Sequence, residues 1–417
     1  MIIERNSYLT KLIDSRHNGM IKIITGIRRC GKSYLLFELF TNWLRNQGVD
    51  DQHIIHIDLE NRRQSNLRDP DILLEYIDSK LTDSSMHYVM IDEIQHVREF
   101  EDVLNSYLKV KNADLYVTGS NARFLSKDVV TTFRGRGDEI RVHPLSFKEF
   151  ISVSEGSMQG SLNEFMRFGG MPQIVLEKHS EKKVSLLNNL NTETYIRDIK
   201  DRYQIKHDEV LSDLLNILAS SIGGLTNPSK LANTFESVKK IKANRITITS
   251  YLDYICDSFL VEKSMRFDVK GKKYIDTPYK YYFTDLGLRN SRIGFRQIEP
   301  GHLMENLIYN ELRMRGYNVD VGVVNISTRD ENGRQFKRQH EVDFVCNKGN
   351  QCYYIQSAYK LMDVDKIKQE TASLRAIYDN FKKIVIVGDE TMVQRDNDGI
   401  TYLSIYDFLM HDNALEL

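Results

Sequence analysis

Three groups of residues in this chain have types and spacings that chemistry uses. The first is Gly26-Ile27-Arg28-Arg29-Cys30-Gly31-Lys32-Ser33-Tyr34, a glycine, four spacers and Gly-Lys-Ser, then an apolar run. In such a loop, backbone amides and the start of the following helix point at the β-phosphate of a nucleotide. Lys32 then reaches the β- and γ-oxygens and Ser33 ligates Mg²⁺. The second group is Asp92-Glu93, closing the apolar run in "HYVMIDEIQHV" (87–97). A strand that simply ends in solvent-facing acids has the same look. Following a phosphate loop, the pair reads instead as a carboxylate on Mg²⁺ (Asp92) and one that orients and deprotonates the attacking water (Glu93). The third group is Glu305, Asp343 and Gln356, spread over the last third of the chain.

The elements that must position the first two groups are legible around them. "MIKIITG" (20–26) is a short β-rich run, and "SYLLFELFTNWLRNQG" (33–48) has helical spacing and closes on Gly48. The loop therefore lies between a strand and a helix, the context that phosphate binding requires. "HIIHIDLE" (53–60) and "ADLYVTGSN" (113–121) add two more strands. A polar side chain at the end of the latter senses the γ-phosphate or caps the next helix. Thr118, Ser120 and Asn121 are the candidates, with Ser120 and Asn121 favoured. In "TTFRGRGDEI", Arg134 and Arg136 flank a glycine; spacing alone fits an arginine finger acting across a subunit interface and a salt-bridged surface turn equally.

"TGIRRCGKS", "MIDEIQHV", "YVTGSN", "FRGRGDEIRVHPLSFKEF" and "FGGMPQIV", in this order, resemble the bacterial and archaeal AAA+ ATPases that carry a C-terminal restriction-endonuclease-like domain. The resemblance spans essentially the whole chain. It implies an AAA+ fold with a parallel sheet, Lys32 and Ser33 on phosphate and Mg²⁺, Asp92 and Glu93 as the Walker B acids, Ser120 or Asn121 as sensor, and Arg136, then Arg134, as finger. It also implies that the paired arginines of the loop are a family habit. Since Lys32 already serves the phosphates, Arg28 and Arg29 are expected to turn outward to a neighbouring domain or DNA, or to form ordinary loop salt bridges.

Downstream, three helix-like segments precede the alternating "FDVKGKKYIDTPYKYYFTD", which reads as a β-hairpin. Three helices and a hairpin make the winged-helix plan, with residues 246–259 as recognition helix. The basic stretches "VKKIKANR" (238–245) and "VKGKK" (269–273), with Lys270, Lys272 and Lys273 on the wing, suit DNA phosphates. Asp253 and Asp257 on the recognition helix argue against reading base edges, and a winged helix also serves as a subunit contact or spacer.

In the last part, an acid on a helix (Glu305), Glu-x-Asp on a strand (Asp343) and a polar residue on the next strand (Gln356) resemble the PD-(D/E)xK nuclease fold. Cleavage there needs carboxylates around Mg²⁺ and a lysine to orient water. The third motif reads Gln356-Ser357-Ala358, so that lysine is absent from its usual place. Either the fold is kept for contact alone, the favoured reading, or Lys360, on the same strand face as Gln356, has taken over.

The expected division is 1–150 AAA+ core, 151–205 helical connector, 206–295 winged helix and 296–417 nuclease-like domain. A chain of 417 residues has room for several such cores. With 57 basic and 58 acidic side chains, any nucleic-acid surface must be a local patch. Four scattered cysteines lack metal-ligand spacing and read as reduced thiols in a cytoplasmic protein. No apolar stretch is long enough for a membrane span, and the charged start has no secretory h-region. The sequence therefore predicts a Mg-ATP hydrolase, assembling as a homo-oligomer of the hexameric kind, that binds or remodels DNA mostly through phosphates. The alternative is an ATP-switched assembly factor with slow turnover that binds DNA or a protein. A nuclease in its own right ranks third because of Ala358.

Overall fold

The structure is a computed structural model that describes residues 3–120, 136–205, 208–238, 244–296, 299–329, 335–361, 364–390 and 393–417. It divides into two compact units. The first comprises residues 1–145 with Met171–Gln173 and Asp257–Phe259; the second holds the remainder.

The first unit is built on five parallel strands: β1 (Ile21–Thr25), β2 (Ile54–Asp58), β3 (His87–Asp92), β4 (Ala113–Gly119) and β5 (Gly137–Arg141). Their spatial order is β2-β3-β4-β1-β5. β1 and β3 are buried along their whole length, as strands of a parallel sheet covered on both faces must be. One face packs Ile21, Ile23, Ile57, Val89, Ile91 and Val117 against Leu73, Ile77 and Leu104 from the flanking helices. Parallel strands end at the same edge. The segments that follow β1, β4 and β3 therefore emerge side by side, and the two acids and the phosphate loop meet there.

The helix after the loop runs through Lys32–Tyr34, a π-helical stretch Leu35–Phe40, and Thr41–Asn46. It buries Leu35, Leu36, Phe40 and Leu44.

The second unit is organised around a nine-stranded mixed sheet in the order β13-β14-β12-β11-β10-β9-β7-β8-β6. Its strands are β6 (Leu225–Thr226), β7 (Val261–Asp268), β8 (Lys273–Phe283), β9 (Asn318–Arg329), β10 (Gln335–Lys348), β11 (Gln351–Ala358), β12 (Lys382–Val387), β13 (Gln394–Arg395) and β14 (Ile400–Ser404). Helices Asp208–Ser220, Pro228–Val238 and Arg245–Asp257 precede the antiparallel β7–β8 hairpin, and β6 pairs with β8. The hairpin does not stand apart. β7 pairs in parallel with β9, at Arg266 with Val321 and Phe267 with Gly322, so hairpin and C-terminal strands form one sheet. Helix Pro300–Met314 lays Leu303, Leu307, Ile308 and Leu312 on this sheet, against Phe344, Ile355 and Ile384.

β10 shifts register against β9 between Val342 and Val345, a bulge that contains Asp343. Gly322 lies opposite. A Cβ there would stand 2.8 Å from both Val342 Cβ and Val345 Cγ2, so the bulge can close only over a glycine. Strand β11 ends at Ala358, and Lys360 lies beyond it, exposed. The same-face argument for Lys360 therefore does not apply. The "FGGMPQ" stretch divides between the units. Gly170 donates its amide to Asp285 Oδ2 (2.7 Å) in the second, while Met171–Gln173 cluster with the first.

Candidate functional site

The phosphate loop is shaped by two glycines in conformations that other residues avoid. Gly26 has φ +142°, and a Cβ on it would fall 2.0 Å from the carbonyl oxygen of Val142. Gly31 has φ +99° and opens the helix. Between them Ile27 is buried, and Cys30 turns inward so that its Sγ donates to Val142 O (3.4 Å). Burial pushes the Cys30 thiol above its ordinary value, against the opposing charges of Lys32 and Arg5. A buried, undissociated thiol is a poor nucleophile, so Cys30 is a packing residue.

Arg28 and Arg29 turn away from the loop's interior. Arg28 pairs with Glu60, and Arg29, at φ +65°, donates to Gln173 Oε1 (3.3 Å). Tyr34 is 37% exposed on the helix that follows.

Lys32 is buried. Its Nζ donates to the carbonyls of Gly26 (3.0 Å) and Ile27 (3.3 Å) and lies 3.8 Å from Glu93 Oε1. Ser33 Oγ donates to Asp92 Oδ2 at 2.8 Å. Thr118 Oγ1 donates to Asp92 Oδ1 at 2.5 Å and accepts the Glu93 amide at 2.9 Å. Ser120 Oγ donates to Glu93 Oε2 (3.1 Å), an oxygen that Gln95 Nε2 also reaches. Glu93 itself is in the left-handed region, φ 52° and ψ 52°, uncommon for a residue with a Cβ.

The two acids are tuned in opposite directions. Burial pushes the Asp92 carboxyl up, Glu93 adds to this, and Thr118, Ser33 and Lys32 offset it in part. Burial works against Glu93 as well, but there the Lys32 charge, the Gln95 and Ser120 hydrogen bonds and the Arg28 charge prevail and hold its carboxyl below the usual range. The oxygens of Ser33 and Asp92, beside helix-start amides, are a hard donor set that suits Mg²⁺.

Of the remaining sequence candidates, Asn121 and Arg134 lie outside the described residues. Arg136 is exposed and its carbonyl accepts the Ile21 amide (2.9 Å). It thus stands at the amino edge of the sheet, about 13 Å of β1 away from the loop in its own subunit.

Sequence reasoning missed Arg5 and Gln95 and placed Thr118 behind Ser120 and Asn121. Arg5 is buried beneath the loop and donates to Cys30 O (3.1 Å) and His143 O (2.8 Å). No local pattern marks a buried arginine so far from its partners. For Thr118 the signal was present: it is the last side chain of β4, the strand between β1 and β3.

In the second unit, Glu305, Asp343 and Gln356 are all buried. Asp343 Oδ2 accepts the Ser357 amide (2.8 Å), and Gln356 Oε1 accepts the Asp343 amide (3.4 Å). A residue absent from the sequence reading joins them. Lys280 of β8 donates to Glu305 Oε1 at 2.9 Å and lies 2.6 Å from Glu341 Oε1. Burial opposes its charge, but Glu305, Asp343 and Glu341 outweigh that and hold the ammonium well above its ordinary value. Burial and the Glu305 charge push the Asp343 carboxyl well up, with Lys280 and the Ser357 amide opposing.

Among the described residues, the one set of three or more His, Cys, Asp or Glu with ligand atoms mutually within 4.8 Å is elsewhere: His53, Asp83 and His87. There His53 bonds Asp83 (3.0 Å), and His87 meets Ser85 O (2.8 Å) and the Thr82 amide (3.3 Å), which fastens the 81–87 loop.

A parallel sheet with a Gly-x4-Gly-Lys-Ser loop after its first strand and an acid pair after its third defines a P-loop domain of the AAA class. The sequence model described as "AAA domain" matches residues 18–151. Two models described as domains of unknown function, DUF8612 and DUF4143, match residues 159–299 and 300–408.

The chain is 33% identical to an "Uncharacterized protein" of Haemophilus influenzae, over 98% of this chain and 99% of the relative. It is 30% identical to another from Methanocaldococcus jannaschii, over 86% of this chain and 79% of the relative. The chain belongs to the family that these two relatives represent. Among solved structures, AMPPCP-bound DnaA from Aquifex aeolicus matches with TM-score 0.30 and 12% identity, covering 59% of this chain and 85% of that one. The Aeropyrum pernix ORC1 protein in complex with DNA matches with TM-score 0.30 and 11% identity, covering 70% and 92%. Scores at this level add nothing to the assignment, which rests on the strand order and the matched domain. Among the described residues no helix is long and apolar enough to cross a membrane.

Proposed function

We propose that the first unit binds and hydrolyses Mg-ATP and that turnover needs a second copy of the chain. The observation that carries this reading is the continuous network from Lys32 through Glu93 to Ser120, and from Ser33 through Asp92 to Thr118, at three adjacent strand ends. Lys32 and the amides of Gly26 to Ser33 hold the phosphates. Ser33 and Asp92 hold Mg²⁺, which supplies positive charge to the phosphate oxygens. Glu93, kept ionised by its neighbours, accepts the proton of the attacking water, and Ser120 orients Glu93. The ammonium of Lys32 rests on the carbonyls of its own loop beside Glu93, from where it turns to the phosphate oxygens when nucleotide binds.

Arg136 is assigned to a neighbouring subunit's site. Its position at the sheet edge opposite its own loop supports action in trans over action in cis. The helix–β6–helix–helix–β7–β8 order supports a winged helix, and the exposed Lys270, Lys272 and Lys273 of its turn suit DNA phosphates. The basic stretch from 239 to 243 lies outside the described residues. The four-part division of the chain, the nuclease-like reading of the C-terminal strands and a cytoplasmic location belong to the same proposal.

The test is Mg-dependent phosphate release by the purified chain, alone and with Lys32→Ala and Glu93→Gln. Loss in both variants is expected, with ATP binding kept in Glu93→Gln; full turnover in both would remove the proposal. An ATP-switched assembly factor differs in one readout: its hydrolysis is slow and indifferent to DNA, whereas a motor is stimulated.

A further inference from the structure

The carboxylates of the second unit converge on a side chain rather than on a space. Lys280 donates to Glu305 Oε1 (2.9 Å) and lies 2.6 Å from Glu341 Oε1. The Tyr282 hydroxyl, on the same strand face, donates to the same Glu305 oxygen (2.7 Å). The other Glu305 oxygen is covered by the turn at Gly223, where a Cβ would stand 2.8 Å from Oε2. Asp343 gives one oxygen to the Ser357 amide. Both Lys280 and Glu305 side chains are nearly sealed from solvent, 3% and 10% exposed. Glu305, Glu341 and Asp343 do not form a set of three whose ligand atoms lie mutually within 4.8 Å. The parts come from five segments: the 221–224 turn, β8, the Pro300–Met314 helix, β10 and β11.

We propose that the Lys280 ammonium is the resident cation of this cluster, holding the position that the nuclease-like reading gives to a metal ion. The cluster is then a fastening between the β7–β8 hairpin and the C-terminal strands, and it does not load a divalent cation in the intact protein. The physics is one of occupancy. A buried ammonium with two carboxylate partners excludes a second cation, and removing it leaves buried acids that must either bind another cation or take up protons. The inference rests on the second unit alone.

Thermal melting without nucleotide, with and without Mn²⁺, tests it. The wild-type chain is expected to melt at the same temperature with either. Lys280→Met is expected to melt lower and to gain stability from Mn²⁺, and the gain should vanish in Lys280→Met/Asp343→Asn. A Mn²⁺-dependent rise in the wild type that disappears in Asp343→Asn overturns the proposal, and so does a folded Lys280→Met indifferent to Mn²⁺. Where Lys280→Met does not fold, Lys280→Gln/Glu305→Gln decides. Losses smaller than the sum of the two single changes support the pairing, and additive losses contradict it. An inactive ATPase leaves these outcomes untouched, and failure here leaves the ATPase proposal standing.

Discussion

Thr118 is the side chain on which both Asp92 and Glu93 lean. It donates to Asp92 and accepts from the Glu93 amide, and it is fully buried. Thr118→Val keeps the shape and removes both bonds, leaving a buried carboxylate oxygen and a backbone amide without that partner. The expected loss is about 1–3 kcal/mol of stability, read by denaturant unfolding, together with a raised Mg²⁺ requirement for turnover. Thr118→Ser should restore most of both; a Val variant as stable and active as wild type contradicts the role. Cys30 carries a prediction of opposite sense. Its thiol faces Val142 O inside the protein, so mild peroxide should leave ATP turnover unchanged, and fast inactivation would show the thiol to be accessible. The positions of the loop and the acid pair were legible because each sits in a local strand–loop–helix pattern. Arg5 and Lys280 were not, because what decides them is the arrival of partners 25 to 138 residues away.

At the scale of elements, the apolar runs of β1, β3 and β4 announced themselves because a parallel sheet buries both faces. The hairpin was legible only in its turn and second strand: the stretch read as a hairpin begins at Phe267, whereas β7 starts at Val261, in residues whose apolar spacing passes for the end of a helix. The lysines of its turn are exposed. The hairpin's partner was not legible. The parallel pairing of β7 with β9 joins segments more than 50 residues apart, and neither strand's own pattern encodes it. That pairing bears on DNA binding, since Lys270 donates to Asn325 O in β9 while Lys272 and Lys273 stay exposed. Lys272→Ala/Lys273→Ala should weaken DNA binding alike for all sequences. It should also lower the slope of log affinity against log salt by about 1 to 2. An unchanged slope would assign the hairpin to protein contacts.

For the whole molecule, the claim is a chain whose ATP site is completed by another copy. Arg136 is exposed at the edge of its sheet away from its own phosphate loop, and Glu93 is held ready beside Lys32. Arg136→Ala and Glu93→Gln should each be nearly inactive alone. Mixed together, they should recover part of the activity, because some interfaces then pair an intact Glu93 with an intact Arg136. Activity that stays absent on mixing would mean that the arginine acts elsewhere. The claim beneath it, that this chain hydrolyses Mg-ATP with Glu93 as the base, has the most direct measurement: ATP binding and phosphate release by wild type and Glu93→Gln, side by side in Mg²⁺. The account predicts equal binding and a loss of turnover of two orders of magnitude or so, the size that removing a general base carries. Turnover by Glu93→Gln at the wild-type rate would contradict it.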